Sequence, residues 1–145
     1  MIRPVIVVAA LALGVSAVVA ANDPIAERKD TMKSVGAATK TGAAMAKGEM
    51  PFDSVKAQEI FKAYQQAAQK FPALFPDNTK TGGNTEAAAK IWEDKSGFTA
   101  AAAKFEKDAA DAASKAADLD GFKAAFGAVT KNCSTCHESF RMKKS

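Results

Sequence analysis

Histidine and cysteine are scarce in this chain, and their scarcity restricts the chemistry that it can perform. The 145 residues include one histidine and two cysteines, all within the run Cys133-Ser134-Thr135-Cys136-His137. A zinc site takes about four protein ligands, whereas this run offers three. A thioredoxin-like C-x-x-C would require alternating strands and helices, which the hydrophobic pattern does not show. A disulfide between the two cysteines would close a very short loop and leave His137 without a role.

The chain also lacks strand-like alternation of apolar and polar residues, and it lacks a concentrated block of basic residues. Its formal net charge of +4 is spread along the chain. Nucleic acid binding is therefore not expected. A mild positive charge can help to steer docking to an acidic partner, but it does not identify that partner.

The five-residue run matches C-x-x-C-H, the attachment signature of c-type haem. In such a site the two thiols form thioethers with the haem vinyl groups, and the imidazole binds the iron on one face. Positions i, i+3 and i+4 share one face of a helix, which suits this geometry. The sequence therefore predicts one covalently attached haem c per chain, held by Cys133 and Cys136, with His137 as an iron ligand.

The first residues predict where this attachment takes place. Residues 1–3 carry a positive charge, residues 5–19 carry none, and small residues ending at Ala21 precede the polar sequence. This pattern indicates a signal peptide, residues 1–21, cleaved to leave one domain of residues 22–145. An uncleaved membrane anchor is disfavoured, because a spanning helix takes ~20 apolar residues. Since bacteria attach haem to this motif outside the cytoplasmic membrane, we expect a periplasmic protein with no stable membrane anchor.

Helical periodicity accounts for the rest of the chain. Asp23 is the expected N-cap of the first helix, Gly48 ends that helix, and Asp120 is the expected cap of the last one. Residues 72–84 are rich in proline, glycine, asparagine and aspartate and predict one long loop. Helices are expected at about residues 24–47, from 53 or 54 to 71, 96–117 and 120–140, with a short helical stretch at 85–92. Four amphipathic helices with short connections predict an all-α fold, an antiparallel four-helix bundle.

The haem motif falls on the apolar stripe of the last predicted helix. The members of this stripe step by three and four along the chain: Phe122, Phe126, Val129, Cys133, Cys136, His137 and Phe140. This spacing predicts that the motif lies on the inward face of the bundle. We therefore expect the haem to be held between helices and attached to the C-terminal helix.

A C-x-x-C-H motif on the fourth helix of a bundle resembles the cytochrome c-prime family, the class II c-type cytochromes. The resemblance covers the whole chain after the signal peptide. Local matches support it: Arg141 four residues after His137, Arg28 and Met32 in an R-x-x-x-M arrangement, and Trp92 ahead of the third predicted helix. The resemblance implies that Arg141 lies near the proximal histidine, Arg28 contacts a haem propionate and Trp92 packs beside the haem. From the residues alone, Arg28 could equally be a solvated surface charge.

This family divides into two types according to the residue that lies four positions after the arginine of the first helix. The resemblance associates an apolar residue there with high-spin cytochromes c-prime, whose sixth iron position is open, and methionine with the low-spin c-556 type. Met32 occupies that position, so the chain resembles the c-556 type, in which the methionine binds the iron. Met45 and Met50 are less well placed, and Met142 shares a helix with His137 and would have to reach around the ring. From the residues alone, Met32 could instead fill the core, as methionines commonly do.

These features predict an electron carrier and not an enzyme. Histidine and methionine ligands fill both axial positions, so the iron can change oxidation state with little rearrangement. The alternative is a five-coordinate protein that binds nitric oxide or carbon monoxide, which follows if Met32 does not bind. A peroxidase-like enzyme is poorly supported, since no second histidine is available for distal acid–base work. Redox proteins of unknown identity are the expected partners, and the resemblance allows a homodimer through the first two helices.

Overall fold

The structure is a computed structural model in which residues 23–143 are described. The α-helices in chain order are α1 (Pro24–Lys47), α2 (Ser54–Lys70), α3 (Lys90–Glu93), α4 (Lys95–Lys115) and α5 (Leu119–Phe140). Two 3₁₀ turns, Phe71–Leu74 and Asp77–Thr79, lie in the long connection after α2. The predicted signal peptide lies outside the described residues.

The four long helices form a bundle. Helix α2 packs against α1 and α4, and α5 packs against the same two helices. The connections from α1 to α2 and from α4 to α5 are short, so each of these pairs is an antiparallel helical hairpin. The all-α, four-helix-bundle prediction is confirmed. Within residues 23–143, no helix is long and apolar enough to cross a membrane.

The residues that flank α1 determine where this helix begins and ends. The side chain of Asp23 accepts a hydrogen bond from the backbone N–H of Ile25 at 2.9 Å, and Pro24 occupies the first position. Gly48 ends the helix with a φ of 77°, a left-handed conformation that glycine adopts without strain. Both predicted ends of the first helix are confirmed.

Two predicted helix starts are wrong. The cap of α5 is Asp118 and not Asp120, because Oδ1 of Asp118 accepts the backbone N–H of Gly121 at 2.8 Å. Asp120 lies in the first turn instead, where the helix dipole favours a carboxylate. The helical stretch predicted at 85–92 is reduced to α3, because residues 86–88 hydrogen-bond with the chain at the end of α5. The other helix ends differ from the predictions by two residues or fewer.

The buried apolar side chains form two clusters. The larger cluster lies among the four long helices and includes Val35, Met45, Ile60, Phe61, Tyr64, Ala109, Phe122, Phe126 and Val129. The smaller cluster joins the long connection to α3 and α4 and consists of Leu74, Phe75, Ile91 and Phe98. The packed interior is therefore divided along the length of the bundle.

Gly42 marks a close approach of α1 to α5. A Cβ on Gly42 would lie 2.9 Å from Cζ of Phe126, a buried residue of the larger cluster. We predict that Gly42→Ala lowers the free energy of unfolding by about 1–3 kcal/mol, because Phe126 has to leave its packed position. Urea denaturation measures the change.

Gly36→Ala is the matched control on the same helix. Among residues 23–143, no side chain and no backbone of another segment lies within 4 Å of a Cβ at Gly36. Alanine restricts the unfolded chain and suits a helix, so this variant should gain about 0.5–1 kcal/mol. Equal stabilities for the two variants would contradict the close packing at Gly42.

Candidate functional site

The C-x-x-C-H motif occupies the last two turns of α5. Cys133 and Cys136 are free thiols and are half-buried, whereas His137 is exposed. All three belong to one helix, so their backbone spacing is fixed by the helical repeat. The structure thus brings the two thiols and the imidazole together on one stretch of surface.

The motif lies where the packed interior is divided. On α5, Val129 belongs to the larger cluster and precedes Cys133 by four residues, while Phe140 follows His137 by three and packs against the smaller cluster. Helix α4 shows the same change, because Phe98 belongs to the smaller cluster and residues 101 and 102 are only half-buried. The apolar stripe of α5 therefore continues past the packed core, onto surface that the protein covers only in part.

Burial sets the protonation of the three motif residues. Burial raises the pKa of the Cys133 and Cys136 thiols, and Cys133 adds to the rise at Cys136. His137 keeps contact with solvent, but partial desolvation of its ring lowers its pKa, and the positive charge of Arg141 lowers it further, while Glu86 opposes the change. Both thiols are therefore protonated at neutral pH, and the imidazole is neutral, which is the form that binds a metal.

Tyr64 forms part of the buried wall close to Cys133. Its hydroxyl lies 2.8 Å from Oγ1 of Thr39, whose own proton is donated to the carbonyl of Val35 at 2.8 Å. Tyr64 is therefore the donor to Thr39. Burial raises the pKa of Tyr64 to about 12, and Cys133 lies near enough to contribute to the rise. The ring packs against that of Phe105 with centroids 5.3 Å apart, so Tyr64 is a core residue.

The methionines occupy different environments. Met32 is half-buried on α1 and packs against the larger cluster, as does Met50 after the helix. Met45 is 0% exposed, and its Sδ accepts the backbone N–H of Asp53 at 3.4 Å, which ties it to the turn between α1 and α2. Met142 is 48% exposed after α5. Met32 thus has the partial exposure that a ligand needs, on a helix that contacts α5.

Arg28 is buried, with 4% of its surface exposed, and is tied to the long connection. Its NH1 donates to the Leu74 carbonyl at 3.3 Å and to Oγ1 of Thr79 at 3.1 Å. Its NH2 donates to the Thr79 carbonyl at 2.9 Å and to Oγ1 of Thr85 at 2.5 Å. A guanidinium has five N–H donors. Four of them are engaged within residues 23–143, so in this part of the chain the Nε–H is the one left for a haem propionate. The propionate contact stays a prediction.

Aromatic rings cover the guanidinium of Arg28. Its Cζ lies 4.6 Å from the ring centroid of Phe75 and 5.9 Å from that of Trp92. The indole N–H of Trp92 donates to the Phe75 carbonyl at 3.0 Å, and Trp92 packs against the smaller cluster. Trp92 is therefore half-buried against the smaller cluster, beside Arg28, and its contact with a haem stays a prediction.

Arg141 forms an ion pair that the sequence did not predict. Its Nε donates to Oε2 of Glu86 at 2.7 Å, and its NH2 donates to the same oxygen. Arg141 lies one turn after His137, as the sequence indicated. Glu86 carries no local signal of this role, because the pair joins residues 55 positions apart.

Comparisons with known proteins agree on one family. The chain matches the family model described as cytochrome c' over residues 23–141. A cytochrome c' of Rhodopseudomonas palustris is 46% identical over 133 residues, which are 92% of this chain and 91% of that protein. A cytochrome c-556 of the same organism is 36% identical over 148 residues and spans 99% of both chains. The solved structure of the R. palustris cytochrome c' superposes with a TM-score of 0.83 at 46% identity, over 86% of this chain and 100% of that one.

A four-helix bundle with C-x-x-C-H on its last helix defines a c-type cytochrome of the helical-bundle class. The chain belongs to the cytochrome c' family. The family implies haem c with its iron as the cofactor. Its relatives are cytochromes c' and c-556 and not classical enzymes.

The residues around the motif fit a haem. Cys133 and Cys136 present protonated thiols on one helical face, and His137 presents a neutral imidazole one residue further on. The half-covered apolar surface between the two clusters offers contact to a flat, largely apolar ring. Cys133 and Cys136 would hold the haem periphery, and His137 would bind the iron on one face.

We predict that Arg141→Leu lowers the reduction potential by a few tens of millivolts. Loss of a positive charge one turn from His137 favours the more positive oxidised iron, and it also leaves the Glu86 carboxylate without this arginine. Equilibrium redox titration measures the shift. Arg141→Lys keeps the charge and should stay closer to the wild-type potential. An unchanged or raised potential in folded Arg141→Leu would argue against this role.

Proposed function

We propose that this protein is a periplasmic electron carrier with one covalently bound haem c, in which His137 and Met32 bind the iron. The observation that supports this proposal most is the position of Met32. It is half-buried on the helix that packs against α5, while the fully buried Met45 is engaged at the turn after α1. The chain has no second histidine to compete for the sixth position.

The two axial side chains have complementary tasks. When bound, haem supplies an iron that alternates between the ferrous and ferric states. His137 belongs to the last turns of α5, and partial desolvation together with the charge of Arg141 lowers its pKa and favours the neutral imidazole. The thioether of Met32 is a soft, uncharged ligand that favours the ferrous state and raises the potential. Because both side chains belong to packed helices, a change in the charge on a bound iron would require little movement of either.

The other proposed properties follow from the sequence. The signal pattern in residues 1–21 and the haem motif together support the periplasm. We propose redox proteins as partners and no activity on a substrate of its own. The net charge of +4 favours approach to an acidic docking surface. A homodimer through α1 and α2 belongs to the same proposal, and Val55 on α2 is 64% exposed.

A second candidate function is supported by the relatives. The protein named cytochrome c' is 46% identical to this chain, and the one named cytochrome c-556 is 36% identical. Similarity along the whole chain therefore does not favour the c-556 type, and the choice depends on Met32. If Met32 only fills the core, the sixth position is open, and the protein would bind nitric oxide or carbon monoxide.

The haem should be attached through both cysteines. We predict that the intact mass of the periplasmic protein equals that of residues 22–145 plus one haem. Cys133→Ala combined with Cys136→Ala should give no protein that keeps its colour after denaturation, since neither thioether can form. A folded, haem-free wild type with a Cys133–Cys136 disulfide would contradict covalent attachment.

Met32→Leu tests the sixth ligand. We expect wild-type protein to show the sharp, split visible spectrum of a low-spin haem. Met32→Leu should convert it to a high-spin form that binds carbon monoxide readily, and the potential should fall with loss of the thioether. The spectrum of the reduced protein with and without carbon monoxide measures this.

Met45→Leu is the matched control, because it removes a methionine from the same helix and should leave the haem low-spin. If Met32→Leu stays low-spin, another residue is the ligand. If the wild type is already high-spin, the gas-binding function replaces the electron carrier.

A further inference from the structure

Thr85 and Glu86 are neighbours in the chain, and they bind two different arginines. Oγ1 of Thr85 accepts from NH2 of Arg28 at 2.5 Å, and Oε2 of Glu86 accepts from Nε of Arg141 at 2.7 Å. The hydroxyl of Thr85 also accepts the backbone N–H of Ala87 at 3.2 Å. Because Arg28 belongs to α1 and Arg141 ends α5, two consecutive residues join the two helices.

Backbone hydrogen bonds reinforce the link to α5. The N–H of Ala88 donates to the carbonyl of Phe140 at 3.0 Å, and the N–H of Met142 donates to the carbonyl of Glu86 at 2.8 Å. Ala87 forms an isolated antiparallel bridge with the first residue after α5. The end of α5 is therefore paired with residues 86–88 by both backbone and side chain.

The same connection rests directly on the first turns of α1. A Cβ on Gly83, whose φ is 54°, would lie 2.9 Å from Cγ2 of Ile25. Nζ of Lys29 donates to the carbonyl of Gly83 at 3.2 Å. The segment that carries Thr85 is thus packed against α1 next to the contact that Arg28 makes.

The spacing of the two arginines along their helices places the contacts of Thr85 and Glu86 near the proposed iron ligands. Arg28 precedes Met32 by four residues on α1, and Arg141 follows His137 by four residues at the end of α5. Four residues are about one helical turn, so each arginine lies beside one of the side chains proposed as axial ligands.

We propose that Thr85 and Glu86 form a bridge that sets the separation of α1 and α5 at the level of the axial ligands. The bridge thereby determines how firmly Met32 is held at the sixth coordination position of the iron. This inference rests on the proposed ligation of the iron by His137 and Met32. Breaking the Thr85 end is costly, because Arg28 is buried and would lose an acceptor. The Glu86 end is a partly exposed ion pair, and the backbone hydrogen bonds of residues 86–88 with the end of α5 reinforce it. Thr85 and Glu86 are positioning residues and do not themselves bind the iron.

Two substitutions weaken the bridge at its two ends. Thr85→Val removes the hydroxyl and keeps the branched shape, and Glu86→Gln removes the charge and keeps the length. In the reduced, haem-loaded protein we expect each variant to bind carbon monoxide about three- to tenfold faster, the factor that corresponds to one net hydrogen bond. Stopped-flow mixing with carbon monoxide measures the rate.

Amide hydrogen exchange tests the bridge independently of the iron. In Thr85→Val we expect the Met142 amide to exchange faster, although Met142 bonds to Glu86 and not to Thr85. Thr85→Ser keeps the hydroxyl and should restore wild-type exchange. Asp111→Asn removes a carboxylate from an exposed ion pair with Lys107 on α4 and should change neither exchange nor carbon monoxide binding.

The outcomes separate the bridge from the proposed function. An unchanged exchange rate at Met142 in Thr85→Val overturns the bridge, whatever the spin state of the wild type. Faster exchange with unchanged carbon monoxide binding, in a low-spin wild type, overturns its effect on Met32. A wild type that is already high-spin overturns the proposed ligation, and amide exchange then decides whether the bridge joins α1 to α5.

Discussion

The protein's own side chains cover the apolar stripe of α5 at its two ends, where it meets the larger and the smaller cluster, and only in part between them. Phe122 and Val129 are buried, Cys133 and Cys136 are half-buried, and His137 is exposed. Apolar surface left in water forgoes about 25 cal/mol for each Å² that could be buried. A haem attached at the two cysteines would lie against this surface. Such a haem would complete the core at the position where the protein's own side chains leave it incomplete.

The division of the core also explains why the connection between α2 and α4 makes so many polar contacts. A guanidinium buried in the smaller cluster needs acceptors, since an unpaired buried charge is strongly disfavoured. The connection supplies carbonyl and hydroxyl oxygens from Leu74, Thr79 and Thr85. Burial lowers the pKa of Arg28, yet arginine keeps its charge because its ordinary pKa is so high. One buried cation thus orders a segment that its proline, glycine and asparagine content would otherwise leave without regular structure.

The features that could be predicted from the sequence are those that local chemistry decides. Helical periodicity, the Asp23 cap and the C-x-x-C-H motif each depend on residues within a turn or two of one another. Asp118 and Asp120 are both plausible caps by residue type, and only the backbone conformation distinguishes them. The ion pair of Glu86 with Arg141 depends on a contact across 55 positions, for which no periodic pattern exists. The helical stretch predicted at 85–92 is confirmed only from residue 90 onward, because tertiary hydrogen bonds of residues 86–88 override a local preference.

The fold by itself does not choose between an electron carrier and a gas-binding protein. Relatives named cytochrome c' and cytochrome c-556 both align with nearly the whole chain, and one fold can carry different functions when its site changes. A methionine at position 32 satisfies either requirement, because its flexible thioether can pack against the larger cluster or bind a metal. In the proposed bridge of Thr85 and Glu86, the separation of α1 from α5 would decide between these outcomes. Contacts that hold the two helices together would then contribute to function as well as the ligand itself, and those of Arg28 and Arg141 lie one helical turn from Met32 and His137.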